Sequence, residues 1–136
     1  MGAYAGIGAR NVKEIILRNR VSIRLPEEVG PTDDRAIDST AATWSGKGIS
    51  LLVDEGPFAD PLTSYENRPN YRAAEETIGG RKARVVAFDQ PDGTRSVAAH
   101  FPDDGGEPGA LTVVARGESG VAQELLNQII RDISFA

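Results

Sequence analysis

The feature that most constrains this chain is one amphipathic helical stretch, which follows a series of short strand-like segments. Residues 119–133 repeat apolar side chains at helical spacing, with Ser119 as the predicted N-cap. The apolar stripe consists of Ala122, Leu125, Leu126, Ile129, Ile130 and Ile133. An isolated helix of this length is marginal in water, so the stripe needs an apolar sheet face as its partner. We therefore predict an α+β fold, in which a C-terminal amphipathic helix packs on an antiparallel β-sheet.

The first half of the chain has the alternation and the turn residues of antiparallel hairpins. Residues 12–25 read as two strands with Asn19-Arg20 in the turn, and Pro26 ends the second strand because it has no N–H. The polar residues 27–34 read as a loop. Residues 40–54 indicate a hairpin folded at residues 45–48, which makes Trp44 a core residue.

The second half supplies the remaining strands. Residues 81–88, 94–101 and 110–116 read as strands, and the less regular residues 71–78 as one more. Pro91-Asp92-Gly93 is typical of a hairpin turn. The prediction is an antiparallel sheet of about six to seven strands. It lies in a single domain over residues 1–136, whose residues 1–11 are expected to be a flexible N-terminus.

Composition excludes several function classes. Cys is absent, which removes disulfides, thiolate nucleophiles and cysteine-ligated metal sites. The net charge is -5 and the basic residues are scattered, so nucleic acid is not an expected partner. No apolar run approaches the roughly 20 residues that span a bilayer, and we predict no transmembrane segment. The expected form is a soluble monomer.

No constellation of residues points to catalysis or to a bound cofactor or metal. His100 is the single histidine, and strand alternation places it with Ser96 and Ala98 on a face expected to meet solvent. Lys47 between two glycines lacks the pattern of a phosphate loop. The carboxylates of Asp103, Asp104 and Glu107 lack the order of an EF-hand. We predict no catalytic, cofactor-binding or metal-binding residue, and we do not expect an enzyme.

One long irregular segment is the candidate interaction surface. Residues 56–72 contain three prolines and no sustained period, so we expect a surface loop outside the sheet. Aromatic and Arg side chains are enriched at binding hot spots. The candidate partner-binding residues are therefore Phe58, Tyr65, Arg68, Tyr71 and Arg72. In the alternative interpretation, favoured for Phe58, the aromatic side chains fold inward as a lid over the core.

Three stretches together resemble a known superfamily. They are Val21-Ser22-Ile23-Arg24-Leu25-Pro26, Thr77-Ile78-Gly79-Gly80-Arg81-Lys82-Ala83 and Ile129-Ile130-Arg131-Asp132-Ile133-Ser134-Phe135. The chain resembles the PsbP-like superfamily, which joins PsbP extrinsic photosystem subunits, DcrB-type bacterial envelope proteins and lipoproteins, and a Ran-binding factor of the Mog type. This resemblance implies an antiparallel sheet flanked by helices and a role in binding or assembly without catalysis. The matched motifs form the fold, so they assign no functional residue.

The expected function is that of a non-catalytic binding or accessory and assembly domain of the bacterial cell envelope, with another protein as its partner. A periplasmic or envelope-associated location requires that a signal segment has been removed from the chain; otherwise the location is cytoplasmic. One alternative is an inhibitor or immunity-like protein, in keeping with the small size and acidic balance. Another is a small ligand-binding or enzymatic domain without Cys or His chemistry, which requires a deep pocket with convergent polar groups.

Overall fold

The computed structural model describes residues 12–17, 21–31, 41–56, 59–103 and 109–135. The first strands are β1 (Val12–Leu17), β2 (Val21–Pro26), β3 (Gly30–Pro31), β4 (Ala41–Gly46) and β5 (Ile49–Glu55). They are followed by β6 (Arg72–Ile78), β7 (Arg81–Asp89), β8 (Arg95–Phe101) and β9 (Leu111–Gly117). Helix α1 (Gln123–Arg131) and strand β10 (Ser134–Phe135) come last. The predicted residues 19–20 of the first turn, residues 1–11 and Phe58 lie outside the described ranges.

The strands form two antiparallel sheets. Among the described residues, the larger sheet has seven strands in the order β3-β4-β5-β9-β8-β7-β6, and the smaller has three in the order β1-β2-β10. The predicted α+β class, with an antiparallel sheet and a packed C-terminal helix, is thus confirmed. The first hairpin belongs to the smaller sheet, because β2 pairs with β10 and not with a strand of the larger sheet.

Two-residue turns set the register of two hairpins in the larger sheet. Lys47-Gly48 joins β4 to β5 and Gly79-Gly80 joins β6 to β7, and all four residues have positive φ. This backbone twist matches that of the flanking strands, which is why glycine is favoured in such turns. The register places Trp44 opposite Leu51, and Trp44 is buried, as predicted. The predicted loop over residues 27–34 was wrong in part, because Gly30–Pro31 pairs with Ser45 and Trp44 as β3.

Helix α1 begins later than the sequence pattern predicts. Ser119 is not its N-cap: Ala122 occupies that position and makes no side-chain capping bond. The Val121 N–H donates instead to the Glu118 carbonyl at 2.8 Å, so residues 118–121 turn the chain from β9 into the helix. A Cβ on Gly117 would lie 2.8 Å from Val121, so this close turn requires glycine.

The helix packs between the two sheets. It lies against β8 and β9 of the larger sheet and against β2 of the smaller one. The predicted burial of Leu126, Ile129 and Ile130 is confirmed, with Leu125 and Ile133 buried beside them. The three inward residues of β2 join the same core: Val21, Ile23 and Leu25. No helix among the described residues is long and apolar enough to cross a membrane.

The opposite face of the larger sheet carries a second apolar cluster. Val86 and Phe88 of β7 and Ala98 of β8 are buried there together with Leu62. Tyr65, Tyr71 and Val114 pack against them. We call residues 59–71 the cap loop, because this segment supplies Leu62 and both tyrosines. Strands β7 and β8 thus bury apolar residues on both faces, in the core shared with α1 on one side and under the cap loop on the other.

The helix stripe supplies the first testable prediction. Replacing Leu126 with Ala should lower the free energy of unfolding by roughly 2–5 kcal/mol, because a cavity would open between the two sheets. Glu124→Ala, on the exposed side of the same helix, should change it by less than about 0.5 kcal/mol. Urea denaturation measures both values. Equal midpoints for the two variants would contradict this packing.

Candidate functional site

Arg84 fastens the cap loop to the sheet. Its Nε donates to the Leu62 carbonyl at 3.1 Å, and its Nη2 donates to the Tyr71 hydroxyl at 3.2 Å. Its Nη1 also lies 3.7 Å from the Glu75 carboxylate. One guanidinium from the middle of β7 therefore holds two points of the loop, since the planar group presents several donors in fixed directions.

Asp60 organises the loop from within. Its carboxylate accepts the Leu62 N–H at 2.8 Å and the Tyr65 hydroxyl through a short hydrogen bond. Leu62 has a φ of 61°, a conformation that costs a non-glycine residue about 1–2 kcal/mol. Burial of its side chain and its two backbone hydrogen bonds offset that cost. The loop is thus held in one conformation by many contacts.

A second set of hydrogen bonds joins the loop to the middle of the sheet. The Thr112 hydroxyl donates to the Asp60 carbonyl at 2.6 Å, and His100 Nδ1 lies 2.8 Å from the same hydroxyl. Because the hydroxyl proton is used on the carbonyl, His100 Nδ1 must carry a proton and donate it to Thr112. The predicted solvent-facing His100 was therefore wrong: the ring is partly buried and hydrogen-bonded to a buried residue.

The loop also perturbs the titration of nearby groups. Burial lowers the pKa of His100, an effect opposed by the Asp60 charge. The hydrogen bond to Asp60, together with burial, raises the pKa of Tyr65. Burial, and then the Asp60 charge, raise the pKa of Asp54. Within the described ranges, no three Asp, Glu, His or Cys side chains form a group that could hold a metal ion.

The predicted partner-binding residues fall into two groups. Tyr65 stacks on Phe88, with ring centroids 4.9 Å apart and planes 11° from parallel, and Tyr71 bonds to Arg84. These two side chains are the inward-facing lid of the alternative interpretation. Arg68 stands exposed on the outside of the cap loop. Arg72 is exposed too, but it begins β6 and faces a different surface.

That surface is an open groove between α1 and the edge of the larger sheet, with a volume of about 560 Å³. Ala74, Val85 and Ala87 line it from the sheet, and Gln123 and Asn127 from the helix. The Arg131 guanidinium makes two hydrogen bonds to the Glu76 carboxylate, at 2.7 and 3.1 Å, and so bridges helix and sheet. We call this space the β6 groove.

Four residues that hold the cap loop or line the β6 groove were not identified from the sequence: Asp60, Arg84, Arg95 and Thr112. One pattern in the sequence did indicate that both faces of the larger sheet are covered. Residues 85–88 and 97–99 are apolar without interruption, and a strand exposed on one face would alternate instead. Arg84 directly precedes the apolar residues 85–88 and does not break that pattern. The sequence pattern therefore did not indicate that Arg84 holds the loop.

The fold of the chain is PsbP-like. The chain is similar to cyanobacterial PsbP (CyanoP) from Synechocystis sp. PCC 6803, with a TM-score of 0.61, 9% identity and 96% of each chain covered. It is also similar to the Ran-binding protein Mog1p of Saccharomyces cerevisiae, with a TM-score of 0.53 and 13% identity. That match covers 88% of this chain and 82% of Mog1p. No family model and no curated protein sequence matches the chain.

The contacts of Tyr65 generate a stability prediction. Tyr65→Phe keeps the ring on Phe88 and loses the hydrogen bond to Asp60, which should cost roughly 1 kcal/mol. Tyr65→Ala loses both and should cost roughly 2–3 kcal/mol. Arg68→Ala, an exposed change in the same loop, is the matched control and should leave the midpoint of urea unfolding nearly unchanged. A Tyr65→Ala protein as stable as the control would show that the tyrosine does not hold the loop.

The lowered pKa of His100 generates a pH prediction. The unfolded chain takes up a proton near the usual pKa of about 6.5, before the folded protein does. Folding stability should therefore be full above that pH and should decline as the pH falls below it. His100→Gln should remove this part of the decline, which is measured by urea unfolding at a series of pH values from about 8 to about 5. Parallel curves for the two proteins would contradict the prediction.

Proposed function

We propose that this chain is a non-catalytic binding or accessory domain, which recognises another protein through the outer surface of the cap loop. The proposal rests on one observation. The cap loop is long and its outer side is exposed, but contacts with the sheet hold its inner side in one conformation. Arg84, Asp60 and the Tyr65–Phe88 stack hold its inner side. A surface that is already ordered loses less conformational entropy when it binds.

The outer side of the loop has the chemistry of a protein contact. Arg68 projects from it among exposed polar residues, and Arg is enriched at interfaces. Functional residues concentrate on loops that a rigid scaffold positions, as the second apolar cluster positions this one. Tyr65 and Tyr71 serve the proposed function indirectly, by setting the shape of the loop.

The similar structures support the proposal in a general way. Mog1p is described as a Ran-binding protein, so a chain with this fold can serve as a protein-binding module. Action at the bacterial cell envelope is part of the proposal and comes from the sequence resemblance alone. Fractionation of the cells that produce the protein tests that part, and recovery with the cytoplasm would remove it.

The contact surface is tested by crosslinking at chosen positions. A photoreactive amino acid at position 68 should yield a discrete crosslinked product in extracts of the producing cells, because Arg68 lies on the proposed contact surface. The same amino acid at the exposed position 24 of β2 should yield none. Mass spectrometry of the product identifies the partner.

Affinity measurements with that partner complete the test. Arg68→Glu should weaken binding by about tenfold or more, with an unchanged melting temperature, whereas Arg24→Glu should bind as the wild type does. Equal crosslinking at both positions, or equal affinity for the two variants, would reject the cap loop as the contact surface.

A further inference from the structure

The β6 groove lies beside an open strand edge. Strand β6 is the last strand of the larger sheet, and only β7 pairs with it within the described part of the chain. Alternate residues of an edge strand direct their backbone N–H and C=O groups away from the sheet. Seven residues without proline, Arg72–Ile78, are long enough to pair with another strand.

Two of the three charged side chains on β6 have an ion-pair partner among the described residues, and one has none. Glu75 lies 3.7 Å from Arg84, and Glu76 lies 2.7 Å from Arg131. The Arg72 side chain makes no ion pair or hydrogen bond among the described residues, although it is exposed at the start of the strand. The uncompensated charge of this edge is therefore positive, in a protein whose net charge is -5.

Arg95 adds to the positive charge of the groove. It begins β8, opposite Asp89 of β7, and lines the groove with Arg72. Within the described ranges the Arg95 side chain also has no ion pair or hydrogen bond. Two carboxylates stand near these arginines: Glu124 on the helix wall, and Asp89, which lies across from Arg95 and borders the adjoining pocket with Arg72 and Arg95. Arg72 is therefore the charge at the strand edge that a ligand carboxylate would complement.

We propose that the β6 edge binds an extended, acidic segment of a partner protein, which adds to the larger sheet as an eighth strand. Its main chain pairs with the outer edge of β6, while an Asp or Glu side chain lies across from Arg72. Two residues further along, a small apolar side chain lies across from Ala74, because alternate residues share one face of a sheet. This site is separate from the cap loop and does not depend on the function proposed for that loop.

The probe is a displayed library of random seven-residue peptides, selected on the full chain. The enriched peptides should carry Asp or Glu, with a small apolar residue two positions away. Binding is then measured by fluorescence anisotropy with synthetic peptides. Two versions of the peptide are compared, one methylated at the odd-numbered and one at the even-numbered backbone nitrogens. Only one version loses the N–H groups that pair with β6, so only that version should lose binding. Hydrogen exchange of the β6 amides should slow when the peptide is bound.

Graded charge variants test the assignment of the arginines. Arg72→Glu should weaken peptide binding by roughly tenfold, since it reverses a charge directly across from the ligand carboxylate. Arg95→Gln, two strands further from the edge, should weaken it by about two- to threefold. Arg24→Glu and the cap-loop variant Arg68→Glu should bind as the wild type does. Circular dichroism confirms that each variant is folded.

Several results would overturn the proposal. One is a selection that enriches no peptide. Another is equal peptide affinity of the Arg72→Glu variant and the wild type. A third is a hydrogen-exchange rate of the β6 amides that is the same with and without peptide. A protein that forms a dimer by itself, with β6 amides already protected, would assign the edge to a second copy of the chain instead. Loss of cap-loop crosslinking with peptide binding intact would reject the proposed function and leave this site in place.

Discussion

Burial of both faces of strands β7 and β8 is the constraint on which the rest of the structure depends. A sheet with one apolar face needs one cover, but these strands are apolar on both faces and need two. Helix α1 covers one face with the help of β2, and the cap loop covers the other. The loop must therefore be ordered, and its order requires the polar contacts of Asp60, Arg84 and Thr112 beneath it.

Local sequence patterns were sufficient to predict most of the fold. The hairpin over residues 40–54 and its turn follow from alternation and positive φ, and the burial of Leu125, Leu126, Ile129 and Ile130 follows from helical spacing. Each of these signals acts within a few residues. The division into two sheets was not predictable in this way, because it depends on β10 pairing with β2. The start of α1 was also missed, since a turn at residues 118–121 replaces the capping role expected of Ser119.

The candidate site was less predictable than the fold. The aromatic and Arg content of residues 56–72 drew attention to the loop, but could not show which side chains point inward. That choice depends on Phe88 and Arg84, which lie in a strand further along the chain. Arg72 and Arg95 are distant in sequence and line one groove only because β6, β7 and β8 are adjacent.

The pairing of β10 with β2 has a consequence for how the protein is made. Ser134 lies opposite Ser22 and Phe135 opposite Val21, so the smaller sheet joins segments near the two ends of the described chain. During synthesis, β1 and β2 leave the ribosome long before β10 and α1 exist. Until then Val21, Ile23 and Leu25 have no helix to cover them, and the early hairpin exposes an apolar surface. The nascent chain therefore exposes this apolar surface until helix α1 is translated.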